Sequence, residues 1–264
     1  MRTLSVLISC MYQRDWDIVV RSNVQTDCVV VNQCDCDKVE RYKFTNKKGH
    51  ECNVVFISTL ERGLSRSRNM AIRNATSDIC LICDDDETLC DNYEDTILGA
   101  YSECPKAGII AFALDRKDLI KVYPTEKMLL GFRGILKTSS LQISFRRVLL
   151  RKHNIMFDEK MGSGTGNGGG EENKFMFDCR KAKFEMRYFP KVIATVNPGQ
   201  SQWFHGYDEK FMVDKGWAAR RIFGGMTGFV YLIYFAFSHH QLFKDNFSQL
   251  HAFRLLLKGW KEKR

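Results

Sequence analysis

Apolar and polar positions along this chain fall into a repeating arrangement. Uninterrupted apolar runs at Leu4-Ser5-Val6-Leu7-Ile8-Ser9, Val29-Val30-Val31-Asn32, Val54-Val55-Phe56-Ile57 and Ile79-Cys80-Leu81-Ile82-Cys83 are separated by polar or helix-spaced stretches. Runs that do not alternate are what strands buried on both faces of a parallel sheet look like. Between the third and fourth runs, apolar or small residues at Leu64, Ser67, Ala71, Ile72 and Ala75 recur with helical spacing, predicting a helix with Ser65 as its cap. Strands alternating with helical spacers predict right-handed βαβ units in an open α/β sheet, with ligands beyond the carboxyl ends of the strands. Ser9, Asn32, Gln33, Asp35 and Asp84 lie at or beyond such ends.

The fourth run ends in Asp84-Asp85-Asp86-Glu87. Ionised carboxylates crowded at a strand end repel one another unless a cation sits among them. Alternation along an extended segment would point Asp84 and Asp86 to one side and Asp85 to the other. Two hard oxygen ligands on one side suit Mg²⁺ or Mn²⁺ that also holds a diphosphate; a solvated acidic turn is the plainer alternative. In the preceding helix, Arg66 and Arg68 fall in the first turn, where the helix dipole disfavours cations. They make better sense if an anion such as phosphate docks there.

Residues 63–89, GLSRSRNMAIRNATSDICLICDDDETL, resemble the centre of the family-2 glycosyltransferases of the GT-A fold. In that family a helix with a small-x-x-Arg-Asn-x-Ala pattern precedes a strand ending in a metal-binding D-x-D motif. Asp84 and Asp86 match the two D-x-D acids, and Glu87 stands where the family often has another acid. The resemblance implies a GT-A fold, mainly a parallel open sheet flanked by helices with a C-terminal helical extension. It implies a nucleotide-sugar donor, UDP-linked by preference, contacted by Ser9, Asn32, Asp35, Arg66, Arg68, Asp84 and Asp85, and Mn²⁺ or Mg²⁺ as cofactor. The loop Asn32-Gln33-Cys34-Asp35 departs from the family's two acids followed by Gly-Ser, which leaves Asp35 as the candidate base or ribose contact.

The second half carries the glycine-rich run Met161-Gly162-Ser163-Gly164-Thr165-Gly166-Asn167-Gly168-Gly169-Gly170, which leads into Glu171-Glu172-Asn173-Lys174-Phe175. It lacks the G-x-x-x-x-G-K-[ST] order of a P-loop. A flexible linker is one reading; because it runs into a helix with Phe175 and Cys179 on one face, a mobile acceptor-site lid is the other. Gly170-Glu171-Glu172 resembles the Gly-Glu-Asp-like motif whose second acid is the base in family-2 enzymes, with Glu172 replacing the Asp and Glu171 the alternative. An inverting transfer needs such a carboxylate to take the acceptor's proton. His205, after Asn197-Pro198-Gly199, is either a third metal ligand, as in some GT-A enzymes, or a structural histidine among aromatics. The segment Lys215-Gly216-Trp217-Ala218-Ala219-Arg220-Arg221 does not meet the Gln/Arg-x-x-Arg-Trp motif of processive members, implying an enzyme that adds one sugar.

Residues 222–243 contain no Asp, Glu, Lys or Arg and are long enough to raise a spanning helix, yet Gly224, Gly225, Thr227, Gly228, Ser238, His239, His240 and Gln241 dilute the run, which favours attachment at the membrane surface over spanning. Further on, Phe253, Leu256, Leu257 and Trp260 interleave with Arg254, Lys258, Lys261, Lys263 and Arg264, the make-up of an interfacial membrane helix. Helices packed on the catalytic domain or on a partner subunit are the alternative, and an oligomer is left open. The expected organisation is a catalytic domain over residues 1–220, with a nucleotide-binding half (1–90) and an acceptor-binding half (91–220), then a membrane-associating extension over 221–264.

The chain has 264 residues, 44% of them hydrophobic, enough for a full core. Its N-terminus reads as a strand without a signal-peptide h-region, so the ten scattered cysteines read as cytoplasmic thiols. Cys28, Cys34 and Cys36 have no matching Cys/His pair at zinc-finger spacing. The net charge of +9 suits nucleotide phosphates or anionic lipid, and no nucleic-acid-binding motif is present. The expectation is therefore a metal-dependent inverting transferase at the cytoplasmic face of the membrane, acting on a glycan or lipid-linked hydroxyl. Two alternatives stand beside it. A nucleotidyltransferase should carry glycines after its first strand, where Ser9-Cys10-Met11-Tyr12-Gln13-Arg14 has none. A non-catalytic, membrane-associated assembly partner would tolerate loss of Asp84, Asp86 and Glu172.

Overall fold

The computed structural model describes residues 3–116, 122–197 and 206–264. In chain order the elements are β1 (Leu4–Met11), α1 (Asp17–Arg21), β2 (Asp27–Gln33), β3 (Lys38–Thr45), β4 (Glu51–Thr59), α2 (Leu64–Asn74), β5 (Ile79–Asp84), β6 (Glu87–Leu89), α3 (Tyr93–Glu103), β7 (Ala107–Arg116), β8 (Met128–Leu129), α4 (Phe132–Lys137), β9 (Ile143–Arg146), α5 (Arg147–His153), α6 (Glu171–Lys181), β10 (Glu185–Val196), α7 (Glu209–Phe223), α8 (Gly225–Ser238) and α9 (Gln249–Lys261). They divide into two compact units, one of residues 1–62, 66–156 and 178–199, the other of residues 63–65, 157–177 and 200–264.

The first unit holds the sheet. Its strand order is β3-β4-β2-β1-β5-β9-β7-β10-β6, with β8 paired to β10. The four apolar runs form β1, β2, β4 and β5, joined by parallel ladders β4-β2-β1-β5. Val6, Ile8, Val30, Ile79 and Leu81 are completely buried, as continuous apolar strands covered on both faces must be. Antiparallel pairings join β3 to β4, β9 to β5 and β7, and β6 and β8 to β10. β3 is an edge strand whose half-buried face presents Glu40, Tyr42 and Phe44, with Trp16 stacked on Tyr42. β10 shifts register against β7 between Phe189 and Val192, around Pro190, which has no N–H to give a ladder.

Among the described residues, the regular elements of the second unit are helices. Asp208 caps α7 by accepting from the Phe211 N–H at 2.6 Å, and Ser248 caps α9 through the His251 N–H at 3.2 Å. Met212, Ala219, Leu232, Phe235, Ala236, Phe243, Ala252 and Leu256 form its core. α7 and α9 touch backbone to backbone. A methyl on Gly216 would land on the Leu256 carbonyl, and one on Gly259 on the Val213 carbonyl. Among the described residues no helix is long and apolar enough to cross a membrane.

Candidate active site

Parallel register lines up the carboxyl ends of the strands. Ser9 of β1 sits opposite Asp84 of β5 and Val31 of β2, and Asn32 lies opposite Ser58 of β4. β5 ends at Asp84, and Asp85-Asp86 form a turn into β6. The expected alternation of the three aspartates therefore does not apply, because the extended backbone stops at the first of them. The turn is pinned where Asn197 N–H donates to the Asp86 carbonyl at 2.8 Å.

Arg68 is 2% exposed and donates through Nη2 to both oxygens of Asp84 at 3.1 Å and to Ser140 Oγ at 2.9 Å. It lies in the second turn of α2, one turn further in than the sequence suggested, since the helix begins at Leu64. Ser65 is inside the helix, not its cap, and its hydroxyl donates to the Met161 carbonyl at 2.7 Å. Arg66 stays in the first turn and is exposed.

Electrostatics mark the acidic turn. Glu87 is buried; one carboxyl oxygen accepts from the Asp84 N–H at 3.0 Å. Burial first, then the Asp84 charge, hold its carboxyl well above the usual carboxylate range. Asp85 and Asp86 retain solvent exposure, but protein packed around their carboxyls and, second, the repulsion of Asp84 raise both. Crowded carboxyls that favour the protonated form would lose those protons to solvent as a cation bound. Among the described residues no group of three His, Cys, Asp or Glu side chains gathers closely enough to hold a metal alone. Hard oxygens in this number fit a cation that takes its remaining ligands from a diphosphate.

Other expected donor contacts also bond within the protein. The Ser9 hydroxyl accepts from Ser67 at 2.9 Å, fastening β1 to α2. The Asn32 amide accepts from the Gln13 N–H at 2.9 Å and donates to the Gln13 carbonyl at 2.8 Å, clamping the loop after β1. Asp35 is exposed and ion-paired to Arg62 at 2.6 Å. Arg62, not singled out from the sequence, donates to the carbonyls of Cys34 (3.0 Å), Thr59 (3.1 Å) and Leu60 (2.9 Å), tying together the loops that leave β2 and β4. Its guanidinium lies 5.6 Å from the ring of Tyr12, an exposed residue at φ 51° just past β1. A cation directly after a strand end was the only sequence signal for Arg62, and Ser140 had none. In the same loop the Cys34 and Cys36 sulfurs are 3.6 Å apart, and hydrogen bonding to Cys34 raises Cys36. Among the described residues Cys28 joins no metal-binding group.

In the helical unit, Glu171 and Glu172 open α6, where the helix dipole favours acids. Glu171 is buried under the glycine-rich segment: a methyl on Gly162 would meet its Cδ at 3.1 Å. Glu172 is half-buried and accepts from the Asn173 amide at 3.1 Å. The segment makes hydrogen bonds within its own unit. Thr165 Oγ1 donates to the Gly162 carbonyl at 2.7 Å, Asn167 Nδ2 to the Lys160 carbonyl at 2.9 Å, and Lys210 to the Gly166 carbonyl at 3.0 Å. Arg264 bridges Asn167 (3.1 Å) and Asp214 (2.5 Å). His205 lies outside the described residues, as do Pro198 and Gly199.

The family model for glycosyl transferase family 2 matches residues 23–164, a span that includes α2, the acidic turn and most of the sheet. The chain belongs to glycosyltransferase family 2. It is a glycosyltransferase, and the nucleotidyltransferase alternative falls with that assignment. Solved structures agree on the GT-A fold. S. aureus TarS 1-349 in complex with UDP-GlcNAc is 16% identical, with a TM-score of 0.62 over 96% of this chain and 75% of that one. S. aureus TarS 1-349 in complex with UDP is 14% identical, with a TM-score of 0.59 over 92% and 73%. No curated protein matches the chain in sequence.

Proposed function

We propose that this glycosyltransferase moves a single sugar from a UDP-sugar to a hydroxyl of a glycan or lipid-linked acceptor, with inversion and with the help of Mn²⁺ or Mg²⁺. One observation carries the donor half of this reading. Four consecutive acids stand at the carboxyl end of β5, with buried Arg68 paired to the first and the next three raised by the protein packed around their carboxyls and by repulsion from Asp84. Asp84 and Asp86 would hold the cation. When bound, it neutralises charge building on the departing nucleoside diphosphate. Arg68 fixes the Asp84 carboxylate, while exposed Arg66 meets the diphosphate. The loops joined by Arg62 receive the base, with Asp35 as its polar contact. UDP is the favoured carrier because the TarS structures similar in fold are complexes with UDP-GlcNAc and UDP.

Glu172 removes the acceptor proton. Glu171 is buried against Gly162 and anchors the glycine-rich segment, whereas Glu172 is the more accessible of the two. The enzyme works at the cytoplasmic face of a membrane, which it meets through its C-terminal helices.

Thermal shift with UDP and UDP-GlcNAc, each with and without Mn²⁺, tests the donor half, because a ligand of the native state raises the melting temperature. A metal-dependent shift that disappears in Asp86→Ala supports the reading, and a shift indifferent to both sinks it. Glu172→Gln should keep the shift and lose about 10²- to 10⁴-fold in transfer rate, the usual contribution of a general base. Transfer at the wild-type rate would remove Glu172 from that role. Proton NMR of the product's anomeric centre reads inversion directly.

A further inference from the structure

α8 carries no charged residue. Its inward positions Gly228, Leu232, Phe235 and Ala236 are buried. On the opposite side, Met226, Val230, Ile233 and Phe237 are 85%, 59%, 42% and 48% exposed, with Phe229 and Tyr234 along the edges. The spacing i, i+4, i+7, i+11 makes one continuous stripe. A helix apolar on both sides calls for a second apolar covering, and a patch of this extent marks an interaction surface.

The stripe continues onto α9. The Phe229 ring lies 6.1 Å from Phe253 and 5.9 Å from Trp260. Around α9 come, in turn, the seam of Ala252, Leu256 and Gly259, an apolar strip of Leu250, Phe253, Leu257 and Trp260, and the exposed cations Arg254, Lys258 and Lys261. Neither α8 nor α9 contains an acid.

We propose that this α8/α9 face is the seat of an anionic lipid bilayer, with the apolar stripe in the acyl boundary and Arg254, Lys258 and Lys261 against acidic headgroups. This sharpens the membrane reading given above by assigning it a surface. Charge selects the occupant. Cations bordering an apolar strip match a leaflet of acidic lipids, whereas a second copy would bring its own cations against them. Length selects the orientation. The 14 residues of α8 rise about 21 Å, against about 30 Å of hydrocarbon, so the helix lies along the surface.

The test is flotation with vesicles of phosphatidylcholine alone or mixed with phosphatidylglycerol. Wild type should float with the mixed vesicles and not with phosphatidylcholine. A Val230→Ser/Ile233→Ser double variant should lose at least about tenfold in partitioning. The triple variant Arg254→Ser/Lys258→Ser/Lys261→Ser should lose about fivefold per residue, an effect that high salt imitates in wild type. All substituted positions are solvent-exposed, and an unchanged UDP thermal shift shows that the variants are folded. If wild type floats and both variants float equally, this face is wrong and the membrane reading survives. If wild type floats with neither vesicle, both fail. Sedimentation showing a dimer that the double variant dissolves, without vesicle binding, assigns the face to a second copy instead.

Discussion

In the sheet, β1, β2 and β5 bury Val6, Ile8, Val30, Ile79 and Leu81 completely; in α8 a run just as apolar leaves Met226, Val230, Ile233, Tyr234 and Phe237 facing solvent. The same kind of side chain thus has two fates. In the sheet unit, apolar surface is closed off by its own elements, and the unusual energetics sit in polar groups at the strand ends. In the helical unit the internal seams are tight to the point of backbone contact, and the unusual energetics sit in apolar groups left outside. The first unit confines charge, and the second leaves hydrocarbon exposed.

Breaking the confined charge should have the largest effect. Arg68→Ala leaves the Asp84 carboxylate without its buried partner and should cost about 3 kcal/mol, near the low end for a broken buried pair because Asp84 keeps a quarter of its side chain in water. Urea unfolding measures it, and donor binding should disappear with it. The tight seam comes next. Gly259→Leu forces a side chain onto the Val213 carbonyl and should destabilise by about 2 kcal/mol, within the range of overpacked interiors.

Glu87 gives a pH signature. Its folded value is raised above the ordinary 4.5, so between the two the native state holds a proton that the unfolded chain has released. Stability from this group is therefore present at low pH and lost as pH rises through that interval. Paired melting scans should show wild type losing ground to Glu87→Gln as pH climbs from 4.5 and then running parallel to it. Parallel curves throughout would show that the Glu87 carboxyl is not raised. The smallest effect belongs to the open face. Met226→Ser should change unfolding stability by no more than about 0.5 kcal/mol, because the side chain is already in water.

How much of this could be read in the sequence follows the same division. Strands covered on both faces announce themselves as apolar runs; β1, β2, β4 and β5 are legible that way and α2 and α6 by their period, but β7, equally buried from Ala107 to Leu114, was not read. β3 escaped because an edge strand carries Lys38, Glu40, Arg41 and Lys43, and β10 because Pro190 and Lys191 interrupt it. At the site, the acids and Arg68 were visible as residues, but the pairing of Arg68 with Asp84 was not. That contact depends on where α2 begins and on Ser140, far away in sequence. The turn at Asp85-Asp86 was missed because alternation was assumed to continue past the end of the strand. The hydrogen bonds of the glycine-rich segment are not legible in the sequence because its partners Lys210 and Arg264 come from distant parts of the chain.

The pair of sulfurs beside Asp35 gives the protein a reporter of its own. Of ten free cysteines only Cys36 is exposed, and it stands next to the residue expected to meet the base. A thiol-directed fluorophore would reach this pair first through exposed Cys36, best at alkaline pH, since the hydrogen bond between the two sulfurs lowers buried Cys34 and holds the proton on Cys36. Occupancy of the donor pocket could then be followed as emission from a single dye, without adding or deleting a cysteine.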